Sequence, residues 1–178
     1  MPVDPRARID GRMTDVTFEF RAAVEADLPA MHEVYMSVVA WIRARGETHW
    51  PIEKLSVDHL REWADLGEAY VASVDGDIVG AARVQRSDTH VWPDRDDGSA
   101  LYIHKLAVTR AARGRSIGRQ MLSAVEQRAT NEGVGAVRLD TAMVNHRLVR
   151  YYLDAGYTHV DTVDRPPVPL GRFERQLR

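Results

Sequence analysis

A chain of 178 residues, 44% hydrophobic and 28% charged, has the size and composition of one globular domain and is too apolar for disorder. Its formal net charge of −2 gives no global pull toward nucleic acid or an anionic membrane, so any basic function must be local. Without cysteine, disulfides, thiolate metal sites and a cysteine nucleophile are all excluded.

Residues 1–14 are rich in Pro, Arg and Asp, lack periodicity, and read as a flexible tail. They hold no apolar core of signal-peptide length, and no stretch of the chain approaches a membrane span, so a cytoplasmic location is expected. Residues 15–178 read as a single domain. Only Lys54 and Lys105 are lysines among 24 basic residues, an Arg bias that resembles a high-GC bacterial coding preference.

"VTFEFRAA" (16–23) alternates apolar and polar residues like a half-buried strand. Asp27 is placed as an N-cap before a helix running to Gly46, with Pro29 tolerated in its first turn. "ETHWP" reads as a loop and residues 56–67 as a second helix starting near Ser56 or Asp58. Residues 69–88 are two strand-like runs about Asp75-Gly76-Asp77, a hairpin signal. After a loop at 89–98, "SALYIHKLAV" (99–108) is an apolar strand.

The stretch that follows sets Gly114, Ser116 and Gly118 among Arg110, Arg113, Arg115 and Arg119. Ile117, Met121, Leu122, Val125 and Ala129 then share a helical face, with Gly133 at the end. Residues 135–143 read as a strand, 145–157 as a helix capped by Asn145 and ended by Gly156, and "THVDTVD" and "GRFERQLR" as closing strands around a rigid "RPPVPLG". Strands flanking helices, with a hairpin in the middle, imply an α/β fold with a mixed sheet.

A strand, a cationic glycine turn and an amphipathic helix in succession make an anion site, because the free first-turn amides and the positive end of the helix dipole point at whatever precedes them. The turn lacks the ending of a Walker A loop and the third glycine of a dinucleotide motif. The alternative is an exposed helix start with solvated arginines.

"LAV" at 106–108, "RGRSIG" at 113–118, and Asn145 followed by Tyr152, Gly156 and Tyr157 resemble the signature elements of the GNAT superfamily of acyl-CoA-dependent N-acetyltransferases. The likeness covers roughly residues 16–178. It implies a twisted, mostly antiparallel sheet of about six to seven strands flanked by about four helices. It also implies transfer of an acetyl group from acetyl-CoA to a primary amine of a small molecule or peptide. By the same resemblance, the pantetheine arm runs along the backbone of Leu106, Ala107 and Val108, and the pyrophosphate sits on Arg113, Gly114, Arg115, Ser116, Ile117, Gly118 and Arg119. Asn145 contacts the arm as well as capping its helix, and Tyr152 lies in the cofactor site. Ser116 stands where the family usually has glycine. It keeps its N–H, could cap the next helix through its hydroxyl, and is strained if that position needs a positive φ.

Transfer to an amine needs removal of the ammonium proton, a donor to the tetrahedral oxyanion, and a proton for the leaving thiolate. The oxyanion donor is expected to be a backbone N–H near Leu106–Val108. The resemblance implies Tyr152 as the acid, its alternative being a core aromatic, with Tyr151 a decoy. His104 is the favoured base. Period-two alternation places it beside Leu106 and Val108, and an unperturbed imidazole titrates near ~6.5; a structural histidine is the alternative. Asp140 is read as a base or, preferentially, as an arginine's partner. Trp41, Glu47, His49 and Trp50 fall in the region that lines the acceptor pocket in the family, the two tryptophans being more simply core. No spacing such as His-Glu-x-x-His suggests a metal, and none is expected. The expected partners are acetyl-CoA and an amine, without nucleic acid or membrane, and a homodimer is compatible with the family. A non-catalytic acyl-CoA sensor and an Arg-rich nucleic-acid binder are the competing functions; too small a basic cluster argues against the second.

Overall fold

The computed structural model of the protein describes residues 16–46, 50, 52–112 and 114–177; the expected tail lies outside them. The seven strands are β1 (Phe18–Ala22), β2 (Ala69–Val74), β3 (Asp77–Gln85), β4 (Ala100–Val108), β5 (Ala136–Ala142), β6 (Thr158–Val163) and β7 (Leu170–Gln176). They form one sheet in the order β1-β2-β3-β4-β5-β7-β6. The α-helices are α1 (Leu28–Ala44), α2 (Val57–Asp65), α3 (Ile117–Asn131) and α4 (His146–Asp154). Every neighbouring strand pair is antiparallel except β4 and β5. The mixed, mostly antiparallel sheet is therefore as expected.

Local chemistry explains the element ends. Leu28, Met31, Val34, Tyr35, Val39 and Ile42 recur at helical spacing and are buried along α1. Asp27 does not cap α1 through its side chain. Its carboxylate accepts instead from Arg21 (2.6 and 3.0 Å) and from the amide of Val24 (2.8 Å), because a short 3₁₀ turn at Glu25–Asp27 precedes the helix. Ser56 caps α2 by accepting from the His59 amide. Asp75 and Gly76, with φ of 53° and 90°, make the tight left-handed turn that suits a two-residue hairpin.

One apolar cluster packs α1 and α2 on one face of the sheet, through Met31, Tyr35, Leu60, Val71 and Ala107. On the other face α3 inserts Met121, Leu122 and Val125. The centre of the sheet opens. β4 and β5 pair only from Ala100–Ile103 against Ala136–Leu139, and beyond that point the strands diverge with no ladder between them. The β4 edge from His104 onward is thereby left for another partner.

Candidate active site

Two cavities meet at this divergence. A cleft of about 610 Å³ runs from Leu106 and Val108 past Gly114, Ser116 and Gly118 to Asn145 and Tyr151. A cavity of about 370 Å³ adjoins it, lined by His104, Lys105, Asp140, Tyr152 and the segment Arg165–Val168 among others. Trp50, Leu106, Asn145 and Leu148 line both.

The floor of the cleft follows the chain from β4 through the turn into α3, and side chains of α1 and α4 wall it. In α3 the Gln120 amide reaches the Ser116 carbonyl at 3.0 Å; the amides before it belong to the first turn, which has no intrahelical acceptors. Gly114 has φ 84°. Gly118 is small for a different reason: a Cβ there would lie 2.5 Å from the Tyr151 hydroxyl and 3.9 Å from Val108 Cγ2, inside the cleft. Ser116 takes φ 57° and ψ 23° and makes no side-chain cap. The position therefore requires the left-handed conformation, and serine holds it at a cost of about 1–2 kcal/mol that glycine escapes.

The cationic side chains divide. Arg113 lies outside the described residues. Arg115 is exposed and does not line the cleft. Arg119 lines it, but its guanidinium donates to the Asp154 carbonyl at 2.5 Å and stacks over Tyr151 at 5.6 Å, tying α3 to α4. Arg147, unremarked in the sequence, lies at the cleft wall. Ala107 is buried among α1-facing residues, so only its backbone can serve the cleft. Asn145 accepts from the Leu148 amide at 3.1 Å, the cap expected of it, and borders both cavities.

His104 departs from its expected face. Ala107 pairs with Ala81 but His104 pairs with Arg83, so β4 carries an extra residue against β3. Lys105, at φ 53°, sits in this bulge, which breaks the period-two alternation. His104 consequently shares a face with Arg83 and Ala107, away from Leu106 and Val108, which pack toward α3. That face is where Asp140 emerges. His104 Nδ1 lies 3.5 Å from Asp140 Oδ1, and Nε2 lies 3.2 Å from Asp88 Oδ2.

Asp88 was not foreseen: it closes the run read as strand over 69–88, whereas β3 ends at Gln85 and Asp88 lies in the connection beyond it. Its Oδ1 accepts from the amides of His90 (3.1 Å) and Val91 (3.0 Å), which aims Oδ2 at the imidazole. Burial pushes the Asp88 carboxyl up, but His104 and the two amides more than offset this, and it lies below its ordinary range. Asp140 is opposite: burial raises it, and the attraction of His104 does not compensate. Among the described residues no arginine pairs with Asp140. Arg172, opposite it in β7, is held by Asp94 and Asp161 instead.

Tyr152 is nearly buried, edge-on to Tyr151 and Tyr157, and its residue borders the smaller cavity. Burial raises its phenol further above the usual range, so the hydroxyl is protonated at any working pH. Tyr151 lines the cleft instead. Trp41 and Trp50 are both half-buried cleft-wall residues: Trp41 lies between Arg45 and Arg110, at 5.0 and 4.9 Å, whereas Trp50 also packs against the α1–α2 core, edge-on to Tyr35. Glu47 and His49 lie outside the described residues.

The model of the acetyltransferase (GNAT) family matches residues 35–157. The chain belongs to that family. GNAT membership makes it an acyltransferase of the N-acetyltransferase type. An uncharacterised N-acetyltransferase, YesJ of Bacillus subtilis, is 22% identical over 141 residues, 76% of this chain and 78% of that protein. Among solved structures, a GNAT-family acetyltransferase from Listeria monocytogenes superposes with a TM-score of 0.73 at 21% identity, covering 90% of this chain and 95% of the other. The PaiA N-acetyltransferase of Thermoplasma acidophilum, solved with coenzyme A, has the same TM-score at 17% identity and covers 90% and 99%. Among the described residues no helix is long and apolar enough to cross a membrane.

Proposed function

We infer that the cleft takes acetyl-CoA and the adjoining cavity takes a primary amine of a small molecule or peptide, which attacks the thioester directly. The observation that carries this reading is the junction of the two cavities at the β4–β5 divergence, with His104, Asp140 and Tyr152 gathered on the amine side. The T. acidophilum protein with the same fold holds coenzyme A. Here the free amides at the start of α3, the φ > 0 turn and Gly118 fit a pyrophosphate, and the open β4 edge fits an amide-bearing arm.

The amine must first lose a proton. His104 receives it, directly or through water, and Asp140 lies where it can share that proton. Asp88 Oδ2 faces the far nitrogen of the imidazole at 3.2 Å, which favours the ring as it takes on positive charge. Nitrogen attack then forms the C–N bond as the C–S bond breaks. A backbone N–H of β4 between Leu106 and Val108 faces the negative charge that develops on the carbonyl oxygen. The Tyr152 hydroxyl gives its proton to the departing thiolate, and the second proton, lost by the nitrogen as it is acylated, restores the phenol through water. One domain over residues 15–178, in a bacterial cytoplasm, suffices for this chemistry, and a chain without cysteine has no thiol to compete for the acyl group. Free thiol released from acetyl-CoA across a panel of amines tests the assignment. Thiol release that depends on an added amine is the expected result, and release at the same rate with no amine would remove the amine from the reaction.

A further inference from the structure

The smaller cavity carries both signs of charge. Asp140 lies on one side with His104. Lys105 and Arg165 line the same space, and among the described residues no carboxylate lies within ion-pair distance of either cation. Arg165 donates to His90 Nε2 at 2.9 Å, a neutralising partner only in hydrogen-bond terms. Lys105 Nζ rests over the Trp50 ring, 5.2 Å from its centroid. Burial lowers the Lys105 ammonium from its ordinary range, and the field of Asp140 only partly restores it.

A half-buried cation without an anion loses hydration and gains little in exchange. A protein that keeps two of them in one cavity is complementary to a ligand that brings the anion. Two further features agree. Lys105 is one of only two lysines in an Arg-rich chain, and the bulge that turns it into the cavity holds it at φ 53°, a strained conformation for a side-chain-bearing residue. The "RPPVPLG" segment supplies Arg165 and then Pro166, Pro167 and Val168, giving the cavity an apolar wall beside its cations.

We propose that the acceptor is an amino carboxylate, a free α-amino acid with an apolar side chain, whose carboxylate is held by Lys105 and Arg165 while its amine faces His104 and Asp140. This rests on the acetyl-transfer reading for the identity of the reacting end, but its recognition half stands on the cavity alone. A site built to bind a carboxylate rejects the analogue that lacks it, because its own buried charges are then left unpaired.

The test uses four matched pairs: L-leucine and isopentylamine, L-methionine and 3-(methylthio)propylamine, L-phenylalanine and phenethylamine, L-tryptophan and tryptamine. Each is titrated calorimetrically into the full-length protein saturated with desulfo-coenzyme A, and each is assayed for thiol release with acetyl-CoA. For at least one pair, the amino acid should bind and turn over at least tenfold better than its decarboxylated partner. Lys105→Met and Arg165→Met, checked for folding by thermal melts, should each cut that ratio severalfold. Tight amino-acid binding without thiol release would support the recognition and sink the transfer reading. Acetylation of the amines with no carboxylate preference in any pair, or a preference untouched by both variants, would overturn the proposal and leave the transferase standing.

Discussion

The cleft and the cavity are neighbours made in opposite ways. The floor of the cleft is one continuous stretch, the β4 edge, the left-handed turn and the first amides of α3, with side chains of α1 and α4 as its walls. The cavity is built from side chains brought together from the loop at Asp88, the bulge at His104 and Lys105, the end of β5, α4 and the segment before β7. A ligand common to many enzymes can be held by peptide groups that every sequence possesses, given glycine where the chain must come close. A particular acceptor needs particular side chains, and these come from wherever the fold delivers them.

Substitutions separate the two regions by what they change. The largest effect belongs to the cavity. His104→Ala should lower kcat/KM by roughly 10²–10⁴-fold, the usual contribution of a general base, with acetyl-CoA affinity little altered. A folded variant at the wild-type rate from pH 6 to 9 would move the base to Asp140. Tyr152→Phe keeps the ring packed against Tyr157 and Phe173 and removes only the hydroxyl. Its kcat should fall by about 10²-fold while acetyl-CoA affinity holds, because the interaction is made in the transition state. Tyr151→Phe is the contrasting case: its hydroxyl abuts Gly118 in the cleft, so any effect should appear in acetyl-CoA affinity and not in kcat. Equal changes in kcat for both variants would erase the distinction between acid and wall.

The cleft's own test is Gly118→Val. Cβ meets the Tyr151 hydroxyl and the two γ-carbons fill space beyond it. Acetyl-CoA affinity by calorimetry should fall about tenfold or more, equivalent to some 1.4 kcal/mol per decade, with less change in acceptor KM. Undiminished affinity would show that the ligand does not pass this residue.

The same division governs what could be read from sequence. Elements and their order were legible because helical and strand periodicities are local, and the anion-binding turn was legible because glycine, serine and helix start lie within a few residues. Even the strain at Ser116 was conditionally visible, since the position's φ was the one missing quantity. The face of His104 was not, because a bulge depends on how β4 registers against β3, and nothing within "YIHKLAV" marks the extra residue. Asp88 and Arg165 were illegible for a related reason: each reaches the site from loops 16 and 61 residues from His104, and loop side chains have no period. Lys105 did leave a signal, as a rare lysine in an Arg-rich chain, but rarity alone carries no position in space.

The smallest expected effect concerns the charge held against desolvation. Asp140 is pushed up by burial, with Asp88 adding repulsion and His104 and Lys105 opposing it. A carboxyl whose folded-state pKa exceeds its unfolded value of ~3.9 favours the folded state while protonated. That contribution is fully present below the unfolded pKa and is lost as pH rises through the raised folded one. Asp140→Asn stays neutral at every pH and avoids the loss. The variant's Tm should therefore gain on the wild type as pH rises from about 4 toward 8, reaching roughly 2–4 °C for each kcal/mol relieved in a chain of this size. Calorimetric melts of both proteins at matched ionic strength measure the difference. If it stays constant across that range, Asp140 is solvated well enough to ionise freely, and the cavity is wetter and less selective than its burial implies. If it grows while kcat falls, the carboxylate that costs stability is the one the amine needs.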